Sequence, residues 1–200
     1  MDPKALFKLS YGLFVLSARH NGQDNGCIIN TAMQITDTPA QLVIGINKEN
    51  HTHTMIQQSG RFNLSVLSSK VPFSVFEQFG FQSGREVQKF APTAPRTPNG
   101  IMYLDEYTNA VLSCRVINSI DCGTHTLFVA VLEDALVLSE EPSVTYADYF
   151  DHIKPKPQAA GESKKFVCEI CGYVYEGEEL PPDYICPLCK HGSDFFTEMK

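Results

Sequence analysis

No stretch of this sequence stays apolar for more than a few residues, Leu127–Leu132 being typical, whereas a bilayer-spanning helix needs about 20. The expectation is a chain that neither crosses nor is anchored to a membrane. Basic residues are scarce: 16 Lys and Arg stand against 23 Asp and Glu, a net charge of -7. That speaks against unaided nucleic-acid binding, which needs a cationic surplus to neutralise phosphates. Neither a G-x-G-x-x-G nor a G-x-x-x-x-G-K run occurs, so a Rossmann dinucleotide site and a P-loop are not indicated. The opening MDPKALFKLS has no apolar segment followed by a small-residue cleavage site, so no secretory signal is read and a cytoplasmic location is expected. Thiols stay reduced there, and an odd count of seven cysteines suits metal ligands plus free thiols better than a disulfide framework.

What the sequence does hold divides in two. In DHIKPKPQAAGESKK, residues 151–165, prolines, lysines and small residues replace the periodic apolar pattern before it, which reads as a linker. It separates residues 1–150 from a cysteine-rich module, 166–200, too small to fold on its apolar core alone. Such a module needs a staple, and a bound metal is the one available to reduced thiols.

Residues 1–150 read as mainly β. Leu13–Ala18, Cys27–Met33, Gln41–Ile46 and Arg61–Leu67 are short, apolar or alternating, and rich in branched side chains; AVLSCRVI and HTLFVAVLEDALVL continue the pattern. Two helices are expected. Asn50 caps one that runs to Ser59 and stops at Gly60; Pro72 opens another, with Phe73, Phe76 and Phe79 three apart, closed by Gly80. Strands follow one another without a helix at each crossover, which favours a mostly antiparallel barrel over a doubly wound sheet.

The strongest chemical signal is FVCEICGYVYEGEELPPDYICPLCKHGSDFF, with Cys168 and Cys171 forming one CxxC pair and Cys186 and Cys189 the other. Two short loops can clasp one metal from opposite sides in a tetrahedral four-sulfur shell, which suits zinc or iron. Cys27, Cys114 and Cys122 lack a second cysteine at ligand spacing and are expected to be buried free thiols. In GINKENHTHTMIQQSG, a strand passes through a polar turn with Lys48 into a helix start with Thr52. Exposed N–H groups and a lysine there favour a phosphate, although a solvated turn with an ordinary cap at Asn50 fits the same residues. His51 and His53 are read as solvent-facing residues of that helix start. FGFQSGREVQKF adds Ser83, Arg85 and Lys89 near glycines, or is a plain polar loop.

CEICGYVYEG followed by PPDYICPLC and DFF resembles rubredoxin, in which one iron sits in four cysteine thiolates beside aromatic side chains. Gly172 then allows the tight turn behind the first pair, and Phe166, Tyr173, Tyr175, Tyr184 and Phe195 or Phe196 supply the aromatic core. The interval between pairs is closer to the compact rubredoxin-like domain of rubrerythrins, tryptophan is missing, and Lys190 stands where glycine is usual.

YGLFVLSA, NGCIINTAMQITDTP, INKENHTHTMIQQSGRFNLSVL, FGFQSGREVQKF, DCGTHTLFVAVLEDA and TYADYF, in that order, resemble the flavin reductase-like, FMN-binding split-barrel family. The whole chain is similar to the fusion called high-molecular-weight rubredoxin. That resemblance implies that Asn30, Thr31, Ala32 and Met33 line a flavin ring, with Gln34 nearby. Asn47, Lys48, Asn50 and Thr52 would hold the ribityl and phosphate groups of FMN, joined by Ser83, Gly84, Arg85 and Lys89, and His125 would lie close to flavin and nicotinamide. Tyr146 and Tyr149 would close the domain near the flavin or a dimer contact. It further implies a homodimeric oxidoreductase that takes electrons from NADH or NADPH through FMN to one iron. The acceptor beyond the iron would be a redox protein such as a flavodiiron oxygen or nitric oxide reductase. Two alternatives stand beside this: a flavin or ferric reductase using free acceptors, and a zinc-stapled, non-catalytic interaction module.

Overall fold

The computed structural model describes residues 2–155 and 164–199, and divides the chain into two compact units: Ser10–Lys154, and Met1–Leu9 with Pro155–Lys200. Residues 156–163 of the expected linker lie outside the described residues.

The larger unit is built on seven strands: β1 (Phe14–His20), β2 (Gln23–Ile29), β3 (Ala32–Asp37), β4 (Ala40–Asn47), β5 (Arg61–Leu67), β6 (Thr108–Cys122) and β7 (His125–Val137). They form one sheet in the order β2-β1-β5-β6-β7-β4-β3, each neighbour antiparallel. Cys27 and Ile29 of β2, at one edge, pack in the same buried cluster as Leu42, Ile44 and Ile46 of β4, near the other. The sheet therefore curls on itself around Leu16, Phe62, Leu64, Cys114, Phe128 and Ala130. β2 and β3 follow each other in the chain yet stand at opposite ends of the strand order, so the curl is split between them.

Helix α1 (His51–Ser59) seals this core with Met55 and Ile56. Asn50 Oδ1 accepts from Thr52 N at 3.0 Å, and Gly60, at φ 67°, ends the helix by donating to Ile56 O. A second cluster gathers Leu13, Val15, Val75, Phe76, Phe79, Phe90 and Tyr149 under α2 (Phe73–Phe76) and α3 (Tyr146–Asp148). The expected stop of α2 at Gly80 is overrun, since a π-helical turn carries it to Phe81. A similar turn, Tyr149–Ile153, takes the first residues of the expected linker, and Ile153 packs against this core.

In the smaller unit, β8 (Lys164–Cys168) pairs with β9 (Val174–Gly177) and β10 (Phe196–Met199) in a three-stranded antiparallel sheet.

Candidate functional site

The four cysteines sit on two turns of the same design. At the end of β8, Gly172 N donates to Cys168 O at 2.8 Å, and Cys168 N donates to Tyr173 O at 2.7 Å. In the second turn Lys190 N donates to Cys186 O at 2.9 Å, and Cys186 N donates to His191 O at 2.8 Å. Each turn reverses through a left-handed residue: Gly172 at φ 72° and Lys190 at φ 62°. The geometry thus demands at Lys190 the conformation glycine adopts without a steric penalty.

These turns bring the four Sγ atoms within 4.8 Å of one another, with Cys168–Cys189 at 3.5 Å and Cys171–Cys186 at 3.4 Å. A tetrahedral shell with metal–sulfur bonds of about 2.3 Å has edges of about 3.8 Å, so the donor set fits one ion. The Cys171 thiol holds Cys186 far below the usual thiol range, and Cys171 is correspondingly pushed up by Cys186. Four thiolates this close repel, and a central cation removes that cost. Around them Tyr175 and Tyr184 pack at 4.6 Å between ring centres, Tyr184 and Phe196 at 5.4 Å, and Tyr184 Oη donates to Tyr173 Oη at 3.1 Å. Of the two terminal phenylalanines, Phe196 joins this cluster, while Phe195 packs on His191.

In the larger unit, the residues named from the sequence gather at the β2–β3 junction, the start of α1 and the segment after α2. Asn30 and Thr31 break what reads as one strand, Cys27–Met33, into β2 and β3; Gly45 N donates to Thr31 O at 3.0 Å. A Cβ at residue 45 would lie 3.1 Å from Thr31 Cγ2, so β4 approaches this turn closely. Ala32, Met33 and Gln34 line an apolar cavity of about 250 Å³ with Phe14, Leu42, Leu64, Leu112 and Leu132.

At the far end of β4, Asn47 pairs with His125 across to β7, and Lys48 N donates to Thr124 O at 3.0 Å. His125 is exposed, with Nδ1 2.9 Å from Thr124 Oγ1. Lys48 Nζ is 2.7 Å from Asp121 Oδ1, and that hydrogen bond holds the Asp121 carboxyl below its ordinary range. Arg85 Nη1 donates to Glu49 O at 3.0 Å, which ties the segment after α2 to the turn that starts α1. Ser83 Oγ accepts from Arg85 N at 3.3 Å.

Thr52 and Lys89 lie deep in the protein, and two expectations, for His53 and Cys122, are corrected. The Thr52 side chain is fully buried and accepts from Asn25 Nδ2 at 3.1 Å, so its hydroxyl is committed inside the protein. Lys89 is buried, with Nζ donating to Phe79 O at 3.0 Å, because the chain after residue 85 turns inward on the second core. His53 faces inward, its Nε2 2.8 Å from Thr126 Oγ1 and its ring against Phe128, because α1 lays this face on the barrel. Cys122, near the exposed β6–β7 turn, is exposed, whereas Cys27 and Cys114 are buried. Burial pushes the Cys27 thiol up to about 11.

The sequence reading passed over Asn25, and it preferred a solvent-facing His51 to the anion-proximal one it also considered, whereas His51 belongs to the cluster at the start of α1. His51 is held below its ordinary pKa, first by desolvation, then by the charges of Arg85 and Lys89. Arg85 and the first turn of α1 together present a cationic surface rich in N–H groups. The only signal in the sequence was the density of amide side chains in NGQDNG, which is equally that of a plain turn.

Comparison with known proteins gives a match to the flavin reductase like domain over residues 6–155, and to the rubrerythrin, rubredoxin-like domain over residues 166–197. The chain is 36% identical to a high molecular weight rubredoxin of Moorella thermoacetica, over the full length of both. It is 39% identical to a ferric-chelate reductase (NAD(P)H) of Archaeoglobus fulgidus, over 74% of this chain and 89% of that one. The flavin reductase of a styrene monooxygenase from Pseudomonas putida shares the fold: TM-score 0.59 and 24% identity, over 72% of this chain and 90% of that structure.

Proposed function

The chain belongs to the flavin reductase-like family and carries a rubredoxin-like domain at its C-terminal end, and from that premise we propose an NAD(P)H:rubredoxin-type oxidoreductase. It is a flavin-dependent oxidoreductase by family. In this reading electrons enter from NADH or NADPH, pass by way of FMN to a single iron in the second domain, and leave to a redox protein such as a flavodiiron oxygen or nitric oxide reductase. The proposed division is 1–150, a linker at 151–165, and 166–200, in a cytoplasmic homodimer. Met33 is 64% exposed and Ile35 46% exposed on edge strand β3, and an apolar strip of this kind suits a second copy of the chain.

The observation that carries the reading is a four-sulfur cluster of metal-binding geometry in the same chain as a flavin reductase barrel. Cys168, Cys171, Cys186 and Cys189 would hold the iron. Backbone groups of Asn30 to Met33, with Gln34 beside them, would line the flavin ring. Asn47, Asn50, Arg85 and the first turn of α1 would take the ribityl chain and phosphate. When bound, flavin would supply a carrier that takes two electrons as one hydride and gives them up one at a time, as is needed between a two-electron donor and a one-electron iron.

The chain's own contribution is binding, positioning and exclusion of water. Arg85, fixed on Glu49 O, and the Asn50-capped turn form a preset anion site, so little order is lost when a phosphate arrives. Apolar Ala32, Leu42, Leu64 and Leu112 keep water from a ring laid against β3. Thr124 Oγ1 orients the His125 ring at Nδ1, beside the β4 residues that would carry the ribityl chain. In the second domain, the backbone N–H groups at the two turns would stabilise negative charge on the sulfurs holding the iron.

The test uses the full-length Cys186→Ser variant: it should keep NADH-to-flavin turnover while reduction of a protein acceptor falls to background. Unchanged protein reduction would remove the second domain from the path. The ferric-chelate reductase relative favours a second reading, in which free flavin or a ferric chelate is the acceptor. In that case the variant would match the parent chain with every acceptor.

A further inference from the structure

The smaller unit is acidic: between residues 164 and 199 three lysines stand against seven Asp and Glu. Lys164 lies 3.3 Å from a Glu198 oxygen and Lys165 2.8 Å from a Glu176 oxygen. Lys190 is exposed, and among the described residues its ammonium meets no carboxylate. It also holds, at φ 62°, the left-handed backbone that its counterpart Gly172 takes without penalty. A strained residue whose side chain does nothing for the fold points to a role outside it.

The same turn carries apolar surface. Ile185, 60% exposed, precedes Cys186 and is bridged to Gly192, so it shares one closed turn with Lys190 and with the ligands Cys186 and Cys189. Phe195, 41% exposed, packs its ring on His191 at 4.9 Å, and His191 is fixed with Nδ1 3.0 Å from Cys189 O. An unpaired cation flanked by an exposed isoleucine and phenylalanine makes a contact face that is part apolar and part cationic. The acidic surface around it repels a negative partner everywhere else, and so confines such a partner to this turn.

We propose that the second cysteine turn is the docking face for an acceptor protein whose own contact surface presents carboxylates around a small apolar spot, and that Lys190 is the residue that selects it. Docking here sets the partner against the turn that bears two of the four sulfurs, and steering by Lys190 raises the share of encounters in that orientation. One electron then leaves the centre and reduces the acceptor by one, with no bond made or broken in this chain. The inference rests on the electron-transfer reading only for the partner's being an electron acceptor.

The test uses the full-length, zinc-loaded protein and hexacyanochromate(III), a redox-inert paramagnetic trianion, as the probe in nuclear magnetic resonance. Within residues 164–199, the amide signals of 185–192 should broaden first. They should recover as ionic strength rises from about 10 mM to about 150 mM and the screening length falls from about 30 Å to about 8 Å. Lys190→Glu and Lys190→Gly should each abolish the broadening, and the glycine variant suits the turn, so its fold is secure. Lys164→Glu changes the net charge as much as Lys190→Glu does and should leave the broadening in place. Kinetics on the reduced, iron-loaded chain give a second readout. Hexacyanoferrate(III) takes one electron to become hexacyanoferrate(II), and its rate should fall at least about threefold in Lys190→Glu but not in Lys164→Glu, while the rate with the cation hexaamminecobalt(III) rises. Broadening spread evenly over the unit, or equal effects of the two charge reversals, would overturn the proposal. Self-association in the ultracentrifuge that Lys190→Glu abolishes would give the face to a second copy of the chain and overturn it too. The resonance readout does not depend on electron transfer, so a chain that gathers the trianion at this turn but never reduces its iron would defeat the earlier reading and leave the face standing. Normal NADH-driven reduction with no effect of Lys190 would defeat this inference alone.

Discussion

Lys190 carries a left-handed backbone at φ 62°, in a turn whose counterpart uses Gly172 at φ 72°. For an L-residue with a Cβ that conformation costs roughly 1–2 kcal/mol, part of which Lys190→Gly returns as unfolded-chain entropy. The expected gain is about 1 kcal/mol, seen as a higher denaturant midpoint for loss of the metal–thiolate absorption. Gly172→Ala should move the midpoint the other way by a similar amount. His53 supplies a pH dependence. Its pKa lies below the ordinary 6.5 because burial, then the charge of Lys48, disfavours the imidazolium. The unfolded chain therefore takes up this proton first. The stability it contributes is present above about pH 6.5, declines as pH falls from there, and is lost once the lower folded-state value is passed. His53→Gln should flatten that slope in unfolding midpoints measured from neutral to mildly acid pH.

Among the elements, α1 is the clearest case of local chemistry setting local structure, because Asn50 and Gly60 mark its two ends by capping alone. Asn50→Ala should cost about 1 kcal/mol of stability and weaken phosphate binding at the same turn, measurable by thermal unfolding with and without added phosphate. β5 is equally legible, since Arg61–Leu67 alternates between caps and turns that bound it. The reading of Cys27–Met33 as one strand failed because apolar residues continue across Asn30 and Thr31, and only the tertiary fold sends β2 and β3 to opposite edges. β6 extends to Cys122 beyond its apolar run, because Asn118, Ser119 and Asp121 are held by pairing with β7 rather than by burial. The metal ligands were legible because their spacing is local. Asn25 was not, since its significance arises only where β2, α1 and Gly84 meet.

For the whole molecule, the account joins two units that sequence composition already separates, a barrel whose cavities suit a flavin and a small domain whose four sulfurs suit one iron. Its central claim is that both cofactors are present and in redox contact within the same assembly. The direct measurement is an anaerobic absorption spectrum of the purified full-length protein before and after NADH or NADPH. The account predicts overlapping ferric-tetrathiolate and flavin bands that both bleach on addition of the nucleotide. A colourless, zinc-loaded protein, or flavin bleaching that leaves the iron band intact, would contradict it.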